Sequence, residues 1–430
     1  MDITLKYGDG QKAIQIPEKG DVAVLEPSSL PPVSSIEEAL GDALRSPVEG
    51  PPLAEIVRRR QPGSVVIAVP DETRPAPVKE MLPILLKELM SEGGGLTPSD
   101  ITILIGGGLH PPLDSKALTR LIPPEVAGGC RVRAHDAVHG ELVDVGRTSR
   151  GTPVRINKLF ARGDVGIVIG QIDPHQFVGF TGGSKGVVIG CGGAETIEHN
   201  HSLMFDEKAQ VGRLRDNPVR EDLNEAGEMV GIDLTINCVL NPQKQVVRMV
   251  SGPHLPVLET GAATCASIYG VAIDQKFDIV VASCGGYPKD ICLYQAQKGL
   301  NLASQAVRKG GHILLLAASP QGVGDDIYFD YVSQFTTPEE VLHDFRKIGF
   351  KMGAHKAYLF GRTLTQYDVA VFSDLDQGIL RKCHLRAADP SGIVTEWVDA
   401  FKGRPRVGVI PNANTTYFYE STRLSPSQHH

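Results

Sequence analysis

Short apolar runs rich in β-branched residues recur along the chain, with longer stretches of helical spacing between them. The runs at 64–69, 101–105, 165–169, 278–282, 312–317, 367–372 and 406–410 read as strands buried in a parallel sheet. The stretches 78–92, 290–307 and 338–348 carry apolar residues at helical intervals, and a shorter helix is predicted over 36–45 inside a proline-rich connection from Pro27 to Pro52. Strand alternating with helix predicts an α/β protein. At 430 residues the chain is too long for one ordinary core. Two α/β domains with largely parallel sheets are therefore expected, with the active site in the cleft between them. The expected division is 1–270, to which 405–430 returns, and a smaller unit over 271–404.

In open α/β sheets, ligands sit beyond the carboxyl ends of the strands. Four loops in that position carry reactive side chains: Asp71-Glu72-Thr73-Arg74-Pro75, Gly106-Gly107-Gly108-Leu109-His110, Asp173-Pro174-His175 and Cys284-Gly285-Gly286-Tyr287. Pro174 restricts the residue before it to extended backbone, which helps to fix the loop that carries His175. Two histidines on separate strand-end loops suit paired acid–base work. The plainer alternative is that each is an ordinary, partly buried residue. Asp71 and Arg74 can form a salt bridge across their turn, or Arg74 can grip a carboxylate or phosphate with two parallel hydrogen bonds.

The segment Gly179-Phe180-Thr181-Gly182-Gly183-Ser184-Lys185-Gly186 resembles a phosphate-binding P-loop but breaks its pattern. Ser184 stands where glycine precedes the lysine, and Gly186 stands where a hydroxyl would hold magnesium. Glycine backbone and the hydroxyls of Thr181 and Ser184 can still meet an anion. Lys185 is open to three readings: an ion-pairing group, a covalent attachment point or a solvated charge. His199 and His201 are two apart, so they do not share a helix face and a helical two-histidine chelate is not expected. One of them can still be a single metal ligand. On the predicted helix 290–307, Tyr294, Gln295 and Lys298 share one face. That face is either solvated, or it aims a cation and two hydrogen-bonding groups across the cleft.

Charge and cysteine usage narrow the classes. A net charge of −7 argues against a general nucleic-acid binder and a polybasic membrane-surface protein. No run approaches about 18 consecutive apolar residues, so no membrane span is expected. The N-terminus lacks a charged segment followed by an apolar run, which points to the cytoplasm. The seven cysteines include no C-x-x-C pair, so neither a disulfide framework nor a zinc ribbon is indicated. Cys191 and Cys284, near the candidate loops, read as small packed residues.

Together these pieces resemble the nickel-dependent lactate racemase family. The matching elements run in order: Asp71-x-Thr73-Arg74-Pro75, Gly107-Gly108-Leu109-His110, Asp173-Pro174-His175, Phe180 to Gly186, His201, and Tyr294-Gln295-x-x-Lys298. The resemblance implies an isomerase, a racemase or epimerase of small 2-hydroxy acids. It implies a nickel-pincer nucleotide, a pyridinium mononucleotide with two sulfur-bearing arms, attached to Lys185, with His201 as the single protein ligand of nickel. Soft sulfur donors in a flat arrangement suit nickel. His110 and His175 would serve as the two bases, one on each face of the substrate. Lys298 and Gln295 would hold its carboxylate and developing oxo group. Asp71, Thr73, Arg74, Ser184 and Tyr294 would line the cofactor. Tyr358, in His355-Lys356-Ala357-Tyr358, would stand near the cofactor or substrate where the family has tryptophan. That departure leaves the acid open between lactate-like and malate-like. Cofactor-making proteins are implied as loading partners. Two rivals remain at this point: a non-catalytic cofactor carrier of the same fold, and a zinc or magnesium hydrolase using His110, His175, His201 and Asp71.

Overall fold

A computed structural model describes residues 1–91 and 95–420. The chain divides into two compact units, Ser29–Ile268 and a second made of Met1–Ser28 with the chain from Tyr269 onward. Each is built on a six-stranded, mainly parallel sheet.

In the Ser29–Ile268 unit the strand order is Val246–Gly252, Leu234–Leu240, Val165–Gln171, Val65–Pro70, Ile101–Gly106 and Arg131–Ala134. All neighbours are parallel except the first pair. The central strand Val165–Gln171 is buried along its whole length, as a parallel strand covered on both faces must be. The helix Ile36–Arg45 lies on this sheet, and Ser35 caps it by accepting from the Glu38 N–H. Val78–Ser91 packs its Met81, Leu82, Leu85 and Leu89 into the same core. The predicted last residue of that helix, Glu92, lies outside the described residues.

In the other unit the order is Arg386–Ala387, Asp368–Phe372, Val307–Leu316, Phe277–Ser283, Arg406–Ile410 and Asp21–Val24, parallel throughout. The helix Pro338–Ile348 begins at a capping box between Thr337 and Glu340. Two expectations about chain tracing are corrected here. Arg406–Ile410 does not return to the first unit. It inserts beside Phe277–Ser283, where its apolar residues Val407, Val409 and Ile410 are buried. Residues 1–28 also belong to this unit, because Asp21–Val24 adds an edge strand to Arg406–Ile410 and the hairpin Asp2–Tyr7/Gly10–Gln15 contributes Leu5 and Ile14 to its core. Residues 421–430 lie outside the described residues.

Among the described residues, no helix is long and apolar enough to cross a membrane.

Candidate active site

Three neighbouring strands of the Ser29–Ile268 unit, Val165–Gln171, Val65–Pro70 and Ile101–Gly106, deliver their following loops to the same end of the sheet. Asp71 follows the second strand and is buried. Its Oδ2 lies 2.6 Å from His110 Nδ1, while Oδ1 accepts from the Thr73 hydroxyl at 2.5 Å and the Thr73 N–H at 3.2 Å. Burial works to raise the Asp71 pKa. The bonds from His110 and Thr73, with the charges of His110 and Arg74, outweigh it and hold the carboxyl below its ordinary value. An ionised carboxylate only accepts, so the His110 proton sits on Nδ1 and the Nε2 lone pair is left for a ligand. Thr73 therefore serves Asp71. The Arg74 side chain is exposed and makes no hydrogen bond or ion pair among the described residues.

The loop that carries His110 is seated directly on the segment after Lys185. The Gly108 N–H donates to the Gly190 carbonyl at 3.0 Å. Gly108 has φ +60, and a Cβ on Gly106 would stand 2.9 Å from the Gly190 carbonyl. Only glycine permits this approach. Behind it, the buried His135 accepts from Asn157 and donates to the Gly192 carbonyl at 2.9 Å, which braces the same segment. Cys191 is buried there, and burial pushes its thiol up to about 12, as suits a packed residue.

His175 stands on a short hairpin, Pro174–His175 against Gly179–Phe180. Thr181 closes this hairpin: its hydroxyl donates to the Gln171 carbonyl and accepts from the Asp173 N–H, both at 2.8 Å. The Val178 N–H points to His175 Nδ1 at 3.3 Å, the reverse of the arrangement at His110. Phe177 makes T-shaped contacts with His175, at 4.7 Å between ring centroids, and with His201, at 5.1 Å. One phenyl ring thus spaces the two imidazoles. His201 sits on the helix Ala194–Ser202 with its Nδ1 3.0 Å from Asn200 Oδ1. His199 points elsewhere, to Thr152 and through it to Asp222, so the two histidines are separated as their spacing predicts.

Lys185 opens the four-residue helix Lys185–Val188. Its amine makes no hydrogen bond or ion pair among the described residues. Burial, then the charges of Arg74 and Arg220, lower its amine to about 7, against a smaller opposing pull from Asp71. The expectation that Ser184 and Thr181 meet an anion is corrected. The buried Ser184 hydroxyl donates to the Leu223 carbonyl at 2.8 Å and ties the loop to the helix Pro218–Val230. The Gly183 N–H donates to Asn237 Oδ1 at 2.8 Å. Two residues here escaped the reading of the sequence. Asn237 stood out only as a polar residue in the apolar strand Leu234–Leu240. Arg220 carried no signal at all, since a cation on an amphipathic helix reads as solvent-facing.

In the other unit, the helix Leu293–Ala303 bears Tyr294, Gln295 and Lys298. Gln295 is exposed, whereas Tyr294 and Lys298 are half-buried. Lys356 Nζ lies 5.2 Å above the Tyr294 ring and donates to Gln297 Oε1 at 2.9 Å. Burial, then the charge of Lys298, lowers the Lys356 amine to about 7. The expectation for Tyr358 is not met. It is 1% exposed, its ring lies 5.6 Å from that of Phe345, and Arg346 covers it at 5.9 Å. The helix His355–Leu364 turns Tyr358 into the helical layer and presents Lys356 toward Tyr294 instead. Trp397 also lies apart, stacked on His312 and bonded to Asp368.

Among the described residues, no group of three or more His, Cys, Asp or Glu is arranged to hold a metal ion. The hydrolase reading required His110, His175, His201 and Asp71 to converge in that way.

Two family models match the chain: the lactate racemase N-terminal domain over residues 7–212 and the lactate racemase C-terminal domain over residues 273–414. The chain belongs to the lactate racemase family. It is an isomerase of the racemase type. A lactate racemase of Lactiplantibacillus plantarum is 29% identical over 387 residues, covering 88% of this chain and 90% of the relative. A lactate racemase of Thermoanaerobacterium thermosaccharolyticum is 26% identical over 347 residues, covering 80% of each. The solved lactate racemase apoprotein from that second organism superposes with a TM-score of 0.88 over 98% of this chain and all of that one, at 24% identity. A Thermotoga maritima protein shares the fold at a TM-score of 0.62 and 18% identity, covering 91% of this chain and all of that one.

Proposed function

We propose that this racemase interconverts the enantiomers of a small 2-hydroxy acid, lactate-like or malate-like, using a nickel-pincer nucleotide carried on Lys185. The observation that carries the reading is the pairing of two differently held imidazoles, His110 on Asp71 and His175 on its hairpin, with a lysine whose amine makes no ion pair among the described residues. Inversion at C2 needs a proton acceptor on each side of the substrate plane, and two histidines on separate loops supply that.

The residues present fit such a group. An amine lowered to about 7 is largely unprotonated at slightly alkaline pH, the form that can carry a thioacyl bond. Arg74 offers a phosphate a guanidinium that has no ion pair among the described residues. His201 offers an imidazole nitrogen to nickel, and its Nδ1 contact with Asn200 orients the ring. When bound, the cofactor supplies the reversible uptake of hydride from C2, chemistry that protein side chains lack.

The chain's own residues handle the proton and the charge. His110 takes the hydroxyl proton at Nε2 while Asp71 stabilises the imidazolium that forms. His175, on its separate hairpin, serves the other enantiomer. Lys298 and Gln295 hold the carboxylate and the developing oxo group, and Lys356 adds a second cation beside Lys298. Proteins that make the cofactor are the loading partners. The test is coexpression with those enzymes, followed by intact-mass analysis and chiral chromatography of D- and L-hydroxy acids. An adduct of several hundred daltons that disappears in Lys185→Ala, with racemisation of at least one acid, is the expected outcome. A loaded, nickel-containing protein that racemises none of them would overturn the proposal.

A further inference from the structure

Four successive carbonyls of the hairpin that carries His175 are held by one segment, residues 212–220. The Phe177 carbonyl accepts from Asn217 Nδ2 at 3.0 Å. The Val178 carbonyl accepts from Arg220 Nε at 3.3 Å, and the Phe180 carbonyl accepts from a terminal nitrogen of Arg220. Between them, the Gly179 carbonyl accepts from the Gly212 N–H at 3.0 Å. Gly179 has φ +84, and a Cβ there would collide with the Arg213 carbonyl, so glycine is what lets the two segments lie so close. Asn217 and Arg220 are both completely buried.

One of these bonds reaches His175. The Phe177 carbonyl and the Val178 N–H are the two ends of a single planar peptide group. Asn217 Nδ2 holds the oxygen, and the N–H points to His175 Nδ1 at 3.3 Å. Hydrogen bonds chained through one polar group strengthen each other, because charge drawn toward the oxygen makes the N–H a better donor. A ring nitrogen that accepts carries a lone pair, so the single proton of a neutral His175 belongs on Nε2. At His110 the Asp71 carboxylate does the opposite and keeps the proton on Nδ1. The Asn217 amide is itself locked in place. Its Oδ1 caps the helix Pro218–Val230 by accepting from the Val219 and Arg220 N–H groups, at 3.1 and 3.4 Å. Its Nδ2 also donates to the Arg213 carbonyl at 3.0 Å, with the Gln210 carbonyl farther off at 3.4 Å.

We propose that Asn217 is a positioning residue for His175: acting through the Phe177–Val178 peptide, it fixes the imidazole in the tautomer protonated at Nε2. The inference rests on the reading of His175 as one of the two reacting imidazoles and adds the residue that orients it. The two rings then differ at the same atom, with a lone pair on His110 Nε2 and a proton on His175 Nε2. Inversion calls for one acceptor and one donor at a time, and the resting chain holds one of each.

The experiment separates this role from helix capping alone. Ser caps a helix about as well as Asn but lacks the amide that holds the Phe177 carbonyl. The full chain, made without cofactor and labelled with 15N in its histidine rings, is examined at pH 9 by long-range 1H–15N correlation. His175→Gln and His110→Gln assign the two signals. In wild type, His175 should carry its proton on Nε2 and His110 on Nδ1. In Asn217→Ser, His175 should lose its single tautomer and show both forms, while His110 is unchanged. Turnover of the cofactor-loaded variant should fall by roughly 10–100-fold with KM nearly constant, the effect of a misplaced reacting group. Its urea midpoint should stay above that of Asn217→Ala, which loses the cap as well. Asn217→Asp keeps the cap and the shape but, once ionised, repels the Phe177 carbonyl; it replaces Asn217→Ser if that variant does not fold. A wild-type His175 protonated on Nδ1 would overturn the proposal. So would an unmoved His175 tautomer in the variants, whatever their turnover, because that leaves Asn217 a cap and nothing more. The reading of His175 as a reacting group fails separately: it fails if His175→Gln, loaded with cofactor and nickel, racemises as well as wild type.

Discussion

His110 Nδ1 lies 2.6 Å from the buried Oδ2 of Asp71, and this contact assigns the imidazole its tautomer. In Asp71→Asn the amide can donate to Nδ1, which moves the ring proton to Nε2 and removes the lone pair that faces the ligand. Turnover should fall by about 10²–10⁴-fold, the usual range for loss of a positioned general base. KM should change little. Steady-state kinetics with chiral chromatography checks this, and a loss confined to KM would refute the assigned role.

Phe177 separates His175 from His201, at 4.7 and 5.1 Å between ring centroids. The two histidines should therefore fail independently. His175→Ala should abolish inversion while nickel and the Lys185 adduct stay bound. His201→Ala should keep the adduct by intact mass and lose nickel by elemental analysis. Nickel lost from His175→Ala and retained in His201→Ala would exchange the two assignments.

Much of this was legible in the sequence because the signals were local. The strands Val65–Pro70, Ile101–Gly106 and Val165–Gln171 are plain apolar runs, and each is followed by its reactive loop. What stayed hidden depends on distant pairing. Asp21–Val24 is a four-residue edge strand, half-buried, and nothing local marks it as the partner of Arg406–Ile410. Arg220 is buried only because two carbonyls of a hairpin about 40 residues earlier meet its guanidinium. Tyr358 misled because aromatic character pointed to a ligand, whereas its helix turns it onto Phe345.

Gly106 lets the His110 loop rest on the Lys185 segment. A Cβ there would meet the Gly190 carbonyl carbon and oxygen at 2.9 Å and Cys191 Sγ at 3.0 Å, all fixed groups. Gly106→Ala should destabilise the protein by about 1–3 kcal/mol, as overpacking does. It should also lower turnover by displacing His110. Gly128→Ala, whose Cβ would have nothing within 4 Å, is the control and should leave the urea midpoint nearly unchanged. Equal midpoints for the two variants would refute the close approach.

Lys185 links charge to stability with a definite sign. Its folded pKa is lowered to about 7 from an ordinary 10.5. Below about 7 both states hold the proton and the folded state bears the full cost. Above about 10.5 neither does, and the cost vanishes. Between these limits the unfolded state binds more protons, so wild-type stability contains a component that rises with pH. Lys185→Met removes that component. The variant should be more stable than wild type at pH 6–7, by on the order of a few kcal/mol. The gap should close toward pH 10, as measured by denaturant melts across the range. A gap independent of pH would show that only packing had changed.

Lys356 and Tyr358 lie two residues apart on one helix but face different surroundings, which makes them a sharp pair to compare. Lys356 sits over Tyr294 and beside Lys298, where a carboxylate would find two cations. Tyr358 is packed on Phe345 and covered by Arg346. A hydrogen bond to a charged group contributes about 1.5–3 kcal/mol, so Lys356→Met should raise KM by roughly 10–100-fold with a smaller effect on kcat. The same amine is lowered to about 7, so it gains its charge as pH falls through that value. Wild-type KM should therefore be lower at pH 6 than at pH 8, and Lys356→Met should lose most of that difference. Tyr358→Phe removes only a hydroxyl from the helical layer and should leave kcat and KM within about twofold of wild type, since no ligand contact is lost. If Tyr358→Phe instead reproduced the KM effect and Lys356→Met did not, the assignment of these two positions would have to be exchanged.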